Sequence, residues 1–180
     1  MLLVDTKLSE NSQIFHYRDT DIDNTSTSYT QEPFHICNAY DSHLEGVKIL
    51  ADANRHIFGF ITRNAFYDAL QLGALIVAAR EDKVVGFLRY YHRKRDLQTT
   101  LYDICVDESE RGKNLGQGML KMLIDCCRSS HRAMIQLKCP AHLAANTFYE
   151  KSGFHCIDTV MGKRQKLNIW RLDLADRSHQ

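Results

Sequence analysis

Arg111-Gly112-Lys113-Asn114-Leu115-Gly116-Gln117-Gly118 is the stretch on which the reading of this chain turns. It follows an apolar run, Leu101-Tyr102-Asp103-Ile104-Cys105-Val106. It precedes a segment in which Leu115, Met119, Leu120, Leu123, Ile124 and Cys127 recur at helical spacing, with Gln117, Lys121, Asp125 and Arg128 on the opposite face. The succession is strand, glycine-rich loop, amphipathic helix. Such a loop lets backbone N–H groups converge on an anion at the positive end of a helix. Two common phosphate motifs do not fit. A Walker loop needs Gly-Lys-Ser/Thr at its end, which is missing, and a dinucleotide fingerprint starting at Gly116 needs a third glycine where Lys121 stands.

Working outward toward the N-terminus, Ala74–Ala79 and Val84–Tyr91 flank the charged turn Arg80-Glu81-Asp82-Lys83 and predict an antiparallel hairpin, which a strand from Thr99 to Val106 extends. Phe34–Cys37 reads as a short strand. Ser42-His43-Leu44-Glu45 fits a capping box opening a helix through Leu44, Val47, Leu50 and Ala51. A second helix buries Ala65, Phe66, Ala69 and Leu70, with Asn64 as its expected cap and Gly73 where a left-handed C-terminal residue is wanted. Toward the C-terminus follow a strand Met134–Leu137, a helix Ala141–Ser152 stopped at Gly153, and strands His155–Val160 and Leu167–Leu174. The order β-α-α-β-β-β-α-β-α-β-β predicts an α/β fold with a mixed sheet.

A second motif lies in the last helix. Ala145-Asn146-Thr147-Phe148-Tyr149-Glu150-Lys151-Ser152-Gly153-Phe154 has an alanine and a Phe-Tyr pair followed by Gly-Phe. Together with Arg111-Gly112-Lys113-Asn114-Leu115-Gly116, it resembles the paired signatures of the GCN5-related N-acetyltransferases (the GNAT superfamily). The resemblance covers roughly Phe34 to Leu174. Asn114 departs from the pattern, standing where the signature has its first glycine; Asn is the non-glycine residue that best tolerates left-handed backbone.

The resemblance implies a mixed, largely antiparallel sheet of six to seven strands with helices on both faces and splayed central strands. It implies acetyl-coenzyme A as cofactor, its pyrophosphate on Arg111, Gly112, Lys113, Asn114, Leu115, Gly116, Gln117 and Gly118. The pantetheine arm would run beside Ile104, Cys105 and Val106, with a further contact to Asn146 and, as an open alternative, Lys151. An amide near Cys105 or Val106 would hold the developing oxyanion. Transfer would pass directly from thioester to a primary amine, with Tyr149 as general acid. A plain core aromatic is the other reading of Tyr149. Asp103, an acid in an otherwise apolar strand, is expected as base or amine anchor, against an edge-exposed or salt-bridged aspartate. Acetyltransferases of ribosomal-protein N-termini commonly place a glutamate where Lys138 stands, so that subgroup's base is absent. Cys139 sits in an apolar strand, where thiols are usually inert. Two other functions stay open: a toxin-like acetyltransferase of aminoacyl-tRNA, and a non-catalytic module that binds coenzyme A.

Composition sets the frame. A chain of 180 residues, 44% apolar, can bury one continuous core. Residues 1–33 form an acidic extension, residues 34–176 the expected domain, and 177–180 a tail. Through Phe34 the charge is −4, which leaves +5 for the remainder of a chain whose total is +1. A mildly basic body suits an anionic cofactor. No stretch reaches the roughly 18–20 apolar residues of a membrane-spanning helix, and no signal-peptide pattern follows Met1, so a cytoplasmic protein is expected. The six cysteines show no CxxC pair and read as reduced thiols; the nine histidines do not fall at ligand spacing, so no metal is expected. The expected partner is a small-molecule or peptide amine. The basic turn His92-Arg93-Lys94-Arg95 reads as solvated, with a nucleic-acid acceptor as its alternative, and a homodimer also stays open.

Overall fold

A computed structural model describes residues 15–16, 33–81 and 83–174. The acidic extension, apart from Phe15, His16 and Pro33, and the tail 177–180 lie outside the described residues. One sheet organises the chain. Its strands are β1 (Phe15–His16), β2 (His35–Asn38), β3 (Leu75–Arg80), β4 (Lys83–His92), β5 (Gln98–Val106), β6 (Met134–Pro140), β7 (His155–Met161) and β8 (Lys166–Asp173). They lie in the order β1-β2-β3-β4-β5-β6-β8-β7. Every pairing is antiparallel except β5 with β6. The helices are α1 (Leu44–Ala53), α2 (Arg55–Phe58), α3 (Arg63–Gln71), α4 (Leu115–Ser129) and α5 (Ala145–Lys151).

Helices cover both faces of the sheet. On one, α4 buries Leu115, Met119, Leu120, Leu123 and Cys127 against Ile76, Val85, Leu88 and Leu101, and α5 adds Tyr149. On the other, Val47, Leu50 and Ala51 of α1 and Phe66 and Ala69 of α3 pack on Leu75, Val77, Phe87 and Cys105. Each fully buried aliphatic or aromatic side chain contributes about 1.5–3 kcal/mol of transfer free energy, so the sheet's alternating pattern is locked from both sides.

The sheet opens at its centre. β5 and β6 pair only over Gln98–Thr100 with Met134–Gln136, although both strands continue beyond that point. The break coincides with a bulge. Leu101 pairs with Tyr90 and Asp103 with Arg89, so Tyr102 is an extra residue without a partner in β4. A bulge bends its strand and re-aims the side chains beyond it. Leu101 faces the α4 cluster; past the bulge Ile104 and Val106 face that cluster, and Cys105 faces the α1–α3 cluster.

Several local expectations are corrected. The cap of α3 is Thr62, whose Oγ1 accepts from the Ala65 N–H at 3.3 Å, in place of Asn64. No Ser42 capping box forms. A 3₁₀ turn at Asp41–His43 leads into α1, and the His43 Nδ1 accepts the Tyr40 N–H at 3.0 Å. The last helix starts at Ala145, four residues later than its pattern suggested, because residues 141–144 turn beside the cleft. Gly73 does take the left-handed conformation after α3, with φ 62°.

Candidate active site

A cleft of 680 Å³ occupies the gap between β5 and β6. One wall is β5 from Tyr102 to Val106. Facing it are Lys138, Cys139 and Pro140 of β6 with Leu143, Ala144, Ala145, Phe148 and Tyr149. Residues 110–112 and 114–117 close one part of it, while Asn54, Ile57 and Phe58 add a wall from the α1–α2 segment.

The β5 edge along the cleft is chemically open. Asp107 N–H bonds the Val85 carbonyl at 2.8 Å, so it points to β4. Backbone groups alternate along a strand, so Cys105 also addresses β4, while Ile104 and Val106 address the gap where β6 has departed. Arg111 reaches back into this gap, its Nε donating to the Val106 carbonyl at 3.3 Å.

At the loop, Gly112 has φ 83° and Asn114 sits at φ 58°, ψ 12°, immediately before α4. Asn114 thus adopts the left-handed turn that a glycine would otherwise supply. The Gly118 N–H makes the first bond of the helix, to the Asn114 carbonyl at 2.9 Å, so it is not among the amides left for a ligand. The amides of Leu115, Gly116 and Gln117 precede that bond and carry the positive end of the helix dipole. A Cβ at Gly116 would lie 3.4 Å from the Phe148 ring, so this position sets the width between α4 and α5. Lys113 is turned away. Its Nζ pairs with Glu110 at 2.7 Å, and with Arg80 it flanks the Phe34 ring.

Tyr149 is buried, within ring-contact distance of Phe148, Phe154 and Trp170. Its hydroxyl has no hydrogen-bond partner among the described residues. Burial, seconded by Cys139 and Asp103, pushes the phenol above its ordinary range and keeps it protonated. Asp103 also lines the cleft. Arg89 donates to its Oδ2 through Nε at 2.7 Å and Nη2 at 2.6 Å, leaving Oδ1 without a partner among the described residues. Burial raises the Asp103 pKa and Arg89 opposes the rise without cancelling it. Burial likewise lifts the thiols of Cys105 to about 12 and Cys139 to about 11.

Asn146 does not line the cleft. Its Nδ2 donates to the carbonyls of Leu143 (2.7 Å), Pro140 (2.8 Å) and Ala141 (3.3 Å), and its Oδ1 accepts from Trp170 Nε1 (2.8 Å) and Asn168 (3.1 Å). The side chain expected at the cofactor instead ties the wall of the cleft to β8. Lys151 is exposed and away from the cleft lining. The basic turn after His92 lies at the start of β5, the opposite end of that strand from Val106; Arg93 there pairs with Asp96 at 3.3 Å.

A family model described as an acetyltransferase (GNAT) domain matches residues 38–168, most of the chain and both walls of the cleft. The chain belongs to the GNAT acetyltransferase family. Solved GNAT-type structures carry the same fold. An Ard1 protein from Thermoplasma volcanium superposes with a TM-score of 0.71 at 17% identity, covering 79% of this chain and 99% of that one. YncA from Salmonella typhimurium, described as a putative acetyltransferase with its cofactor acetyl-CoA, gives 0.67 at 19% identity over 81% and 96%. Naa50 of Arabidopsis thaliana, in complex with a bisubstrate analogue CoA-Ac-MVNAL, gives 0.65 at 20% over 77% and 97%. No curated protein sequence matches the chain.

For a GNAT chain the cleft also shows what the motifs did not reveal. Tyr102 is extruded by the bulge and is 56% exposed. Arg89 holds Asp103 from a strand 14 residues away. Ile57 and Phe58 belong to a four-residue helix. A register shift and so short a helix leave no periodic signal. A charged residue inside the apolar run of β4 was the available clue to Arg89.

Proposed function

We propose that this protein transfers an acetyl group from acetyl-coenzyme A directly to a primary amine. The observation that carries the reading is the β5 edge open at Ile104 and at the Val106 N–H, next to the amides of Leu115, Gly116 and Gln117, which have no partner among the described residues. An extended arm with amide groups can pair with that edge as an added strand, and a pyrophosphate can rest on the amides at the helix start. Left-handed backbone at Gly112 and Asn114 aims the loop toward the cleft, and the missing Cβ of Gly116 keeps space before Phe148. These residues fit the cofactor. When bound, acetyl-coenzyme A supplies the activated thioester.

The chain's own groups do the rest. Asp103, held by Arg89 with one oxygen uncommitted, anchors the acceptor ammonium and relays its proton. The Val106 N–H is placed to hold negative charge developing on the carbonyl oxygen. Tyr149 keeps its proton at neutral pH and delivers it to the departing sulfur. The high pKa of the Cys139 thiol supports direct transfer, since a thiol near 11 supplies little thiolate at neutral pH. Asn146 serves by fixing α5, and thereby Tyr149, against β8.

Gly116→Trp tests the cofactor half. Its indole would fill the space beside Phe148 and cover the helix-start amides. Calorimetric titration with coenzyme A should show at least a 100-fold loss of affinity, with a melting temperature within about 5 °C of the parent. Unchanged affinity would place the cofactor elsewhere.

A further inference from the structure

The cleft holds two opposite charges that do not meet. Leu137 and Cys139 are buried under α4 and α5, so Lys138 between them lies on the other face of β6. Cys105 is buried in the cluster beneath α1 and α3, and Asp103, two residues before it and past the bulge, shares that face. Arg89 confirms the placement, being paired with Asp103 and 5.7 Å from the Phe66 ring of α3. Asp103 and Lys138 therefore face the same cleft from the same side of the sheet. They form no salt bridge with each other: Asp103 pairs with Arg89, and Lys138 has no ion-pair partner among the described residues. Beside them Ile57, Phe58 and Tyr102 present an apolar wall, with Ile57 38% and Tyr102 56% exposed.

Resting on the acetyl-transfer reading above, we infer that the acceptor is a free α-amino acid with an apolar side chain. Its ammonium meets Asp103, its carboxylate meets Lys138, and its side chain covers Ile57, Phe58 and Tyr102. An α-amino acid carries both charges on one carbon, so a single small molecule answers both walls. An amine without a carboxylate leaves Lys138 solvated. A peptide N-terminus presents a neutral carbonyl at that point and has to thread its chain past the lysine. In the reaction the nitrogen–carbon bond forms as the carbon–sulfur bond breaks. The ammonium loses two protons. One proceeds through Asp103 to solvent, and the other balances the proton that Tyr149 gives to sulfur.

The test is the initial rate of acetylation of leucine, leucinamide, isoamylamine and serine, for the wild type, Lys138→Met and Lys138→Arg. Wild type should prefer leucine at least tenfold in kcat/KM over each of the others. Lys138→Met should bring the leucine-to-leucinamide ratio near one, mainly through the KM for leucine, and Lys138→Arg should restore the preference. Leucinamide or isoamylamine used as well as leucine overturns the carboxylate assignment, as does a ratio indifferent to Lys138→Met. Serine used as well as leucine overturns the apolar wall. Absence of product from every amine, in a protein that calorimetry shows to bind coenzyme A, overturns the transfer reading itself and this inference with it.

Discussion

At the residue scale the proposed chemistry rests on Tyr149 and Asp103, which both line the cleft. The phenol is buried, lacks a hydrogen-bond partner among the described residues and is held above its ordinary pKa, so its ionisation should not limit the rate until well above about pH 10. Tyr149→Phe keeps the three ring contacts and deletes the proton. Turnover should fall about 10²- to 10⁴-fold with coenzyme A affinity within threefold, read from steady-state rates and calorimetry. A loss of less than threefold returns Tyr149 to the role of a core aromatic. As with Tyr149, burial raises the pKa of Asp103. Its raised pKa means that the folded chain holds this proton more tightly than the unfolded chain does. The associated stability is present at low pH and is lost as pH rises through the folded value. Since burial already outweighs the attraction of Arg89, Asp103→Asn should shift Tm by no more than about 5 °C. Its rate defect should be about 10- to 100-fold near pH 6 and shrink toward pH 9, where free amine is abundant. A constant defect across that range would mark Asp103 as structural. The place of Tyr149 in the cleft wall was legible in sequence because its Phe-Tyr and Gly-Phe neighbours form a local motif. Arg89 was not, because its role depends on a cross-strand partner.

Elements build the site through their ends and irregularities. Helix α4 was legible because five buried residues repeat on one face and a glycine-rich loop precedes it. Even Asn114 was readable, since a left-handed residue was required at its position. The bulge at Tyr102 was not, because a one-residue register shift is fixed by the packing of β4, α3 and α4 and leaves the composition of β5 unchanged. Asn146 shows the same limit. Its position in the motif suggested the cofactor, while its partners Asn168 and Trp170 lie 22 and 24 residues onward. Asn146→Ala takes away the acceptor of the Trp170 indole N–H and of the Asn168 amide and the donor to the Ala141 carbonyl, while the carbonyls of Pro140 and Leu143 keep the backbone N–H groups of Leu143 and Asn146. Denaturant unfolding should report a loss of about 2–4 kcal/mol. Coenzyme A affinity should change much less than in Gly116→Trp, and an equal change would restore Asn146 to the cofactor contacts.

The whole molecule is a two-faced sheet that parts in the middle, and its faces divide the labour. The face under α4 and α5 brings the loop amides and Tyr149. The face under α1 and α3 brings Asp103, Lys138 and the apolar residues of α2, and the gap between β5 and β6 joins the two. Fold class was legible from the order and period of the elements; the position of the gap was not, since both strands read as continuous. No helix among the described residues is long and apolar enough to cross a membrane. The most direct measurement of the central claim is transfer of label from acetyl-coenzyme A to a panel of primary amines, with products identified by mass and Tyr149→Phe as the paired control. Acetylated amine should form with the wild type at least 100-fold faster than with the variant. A wild type that binds coenzyme A yet acetylates none of the amines, or a variant that matches it, would contradict the claim.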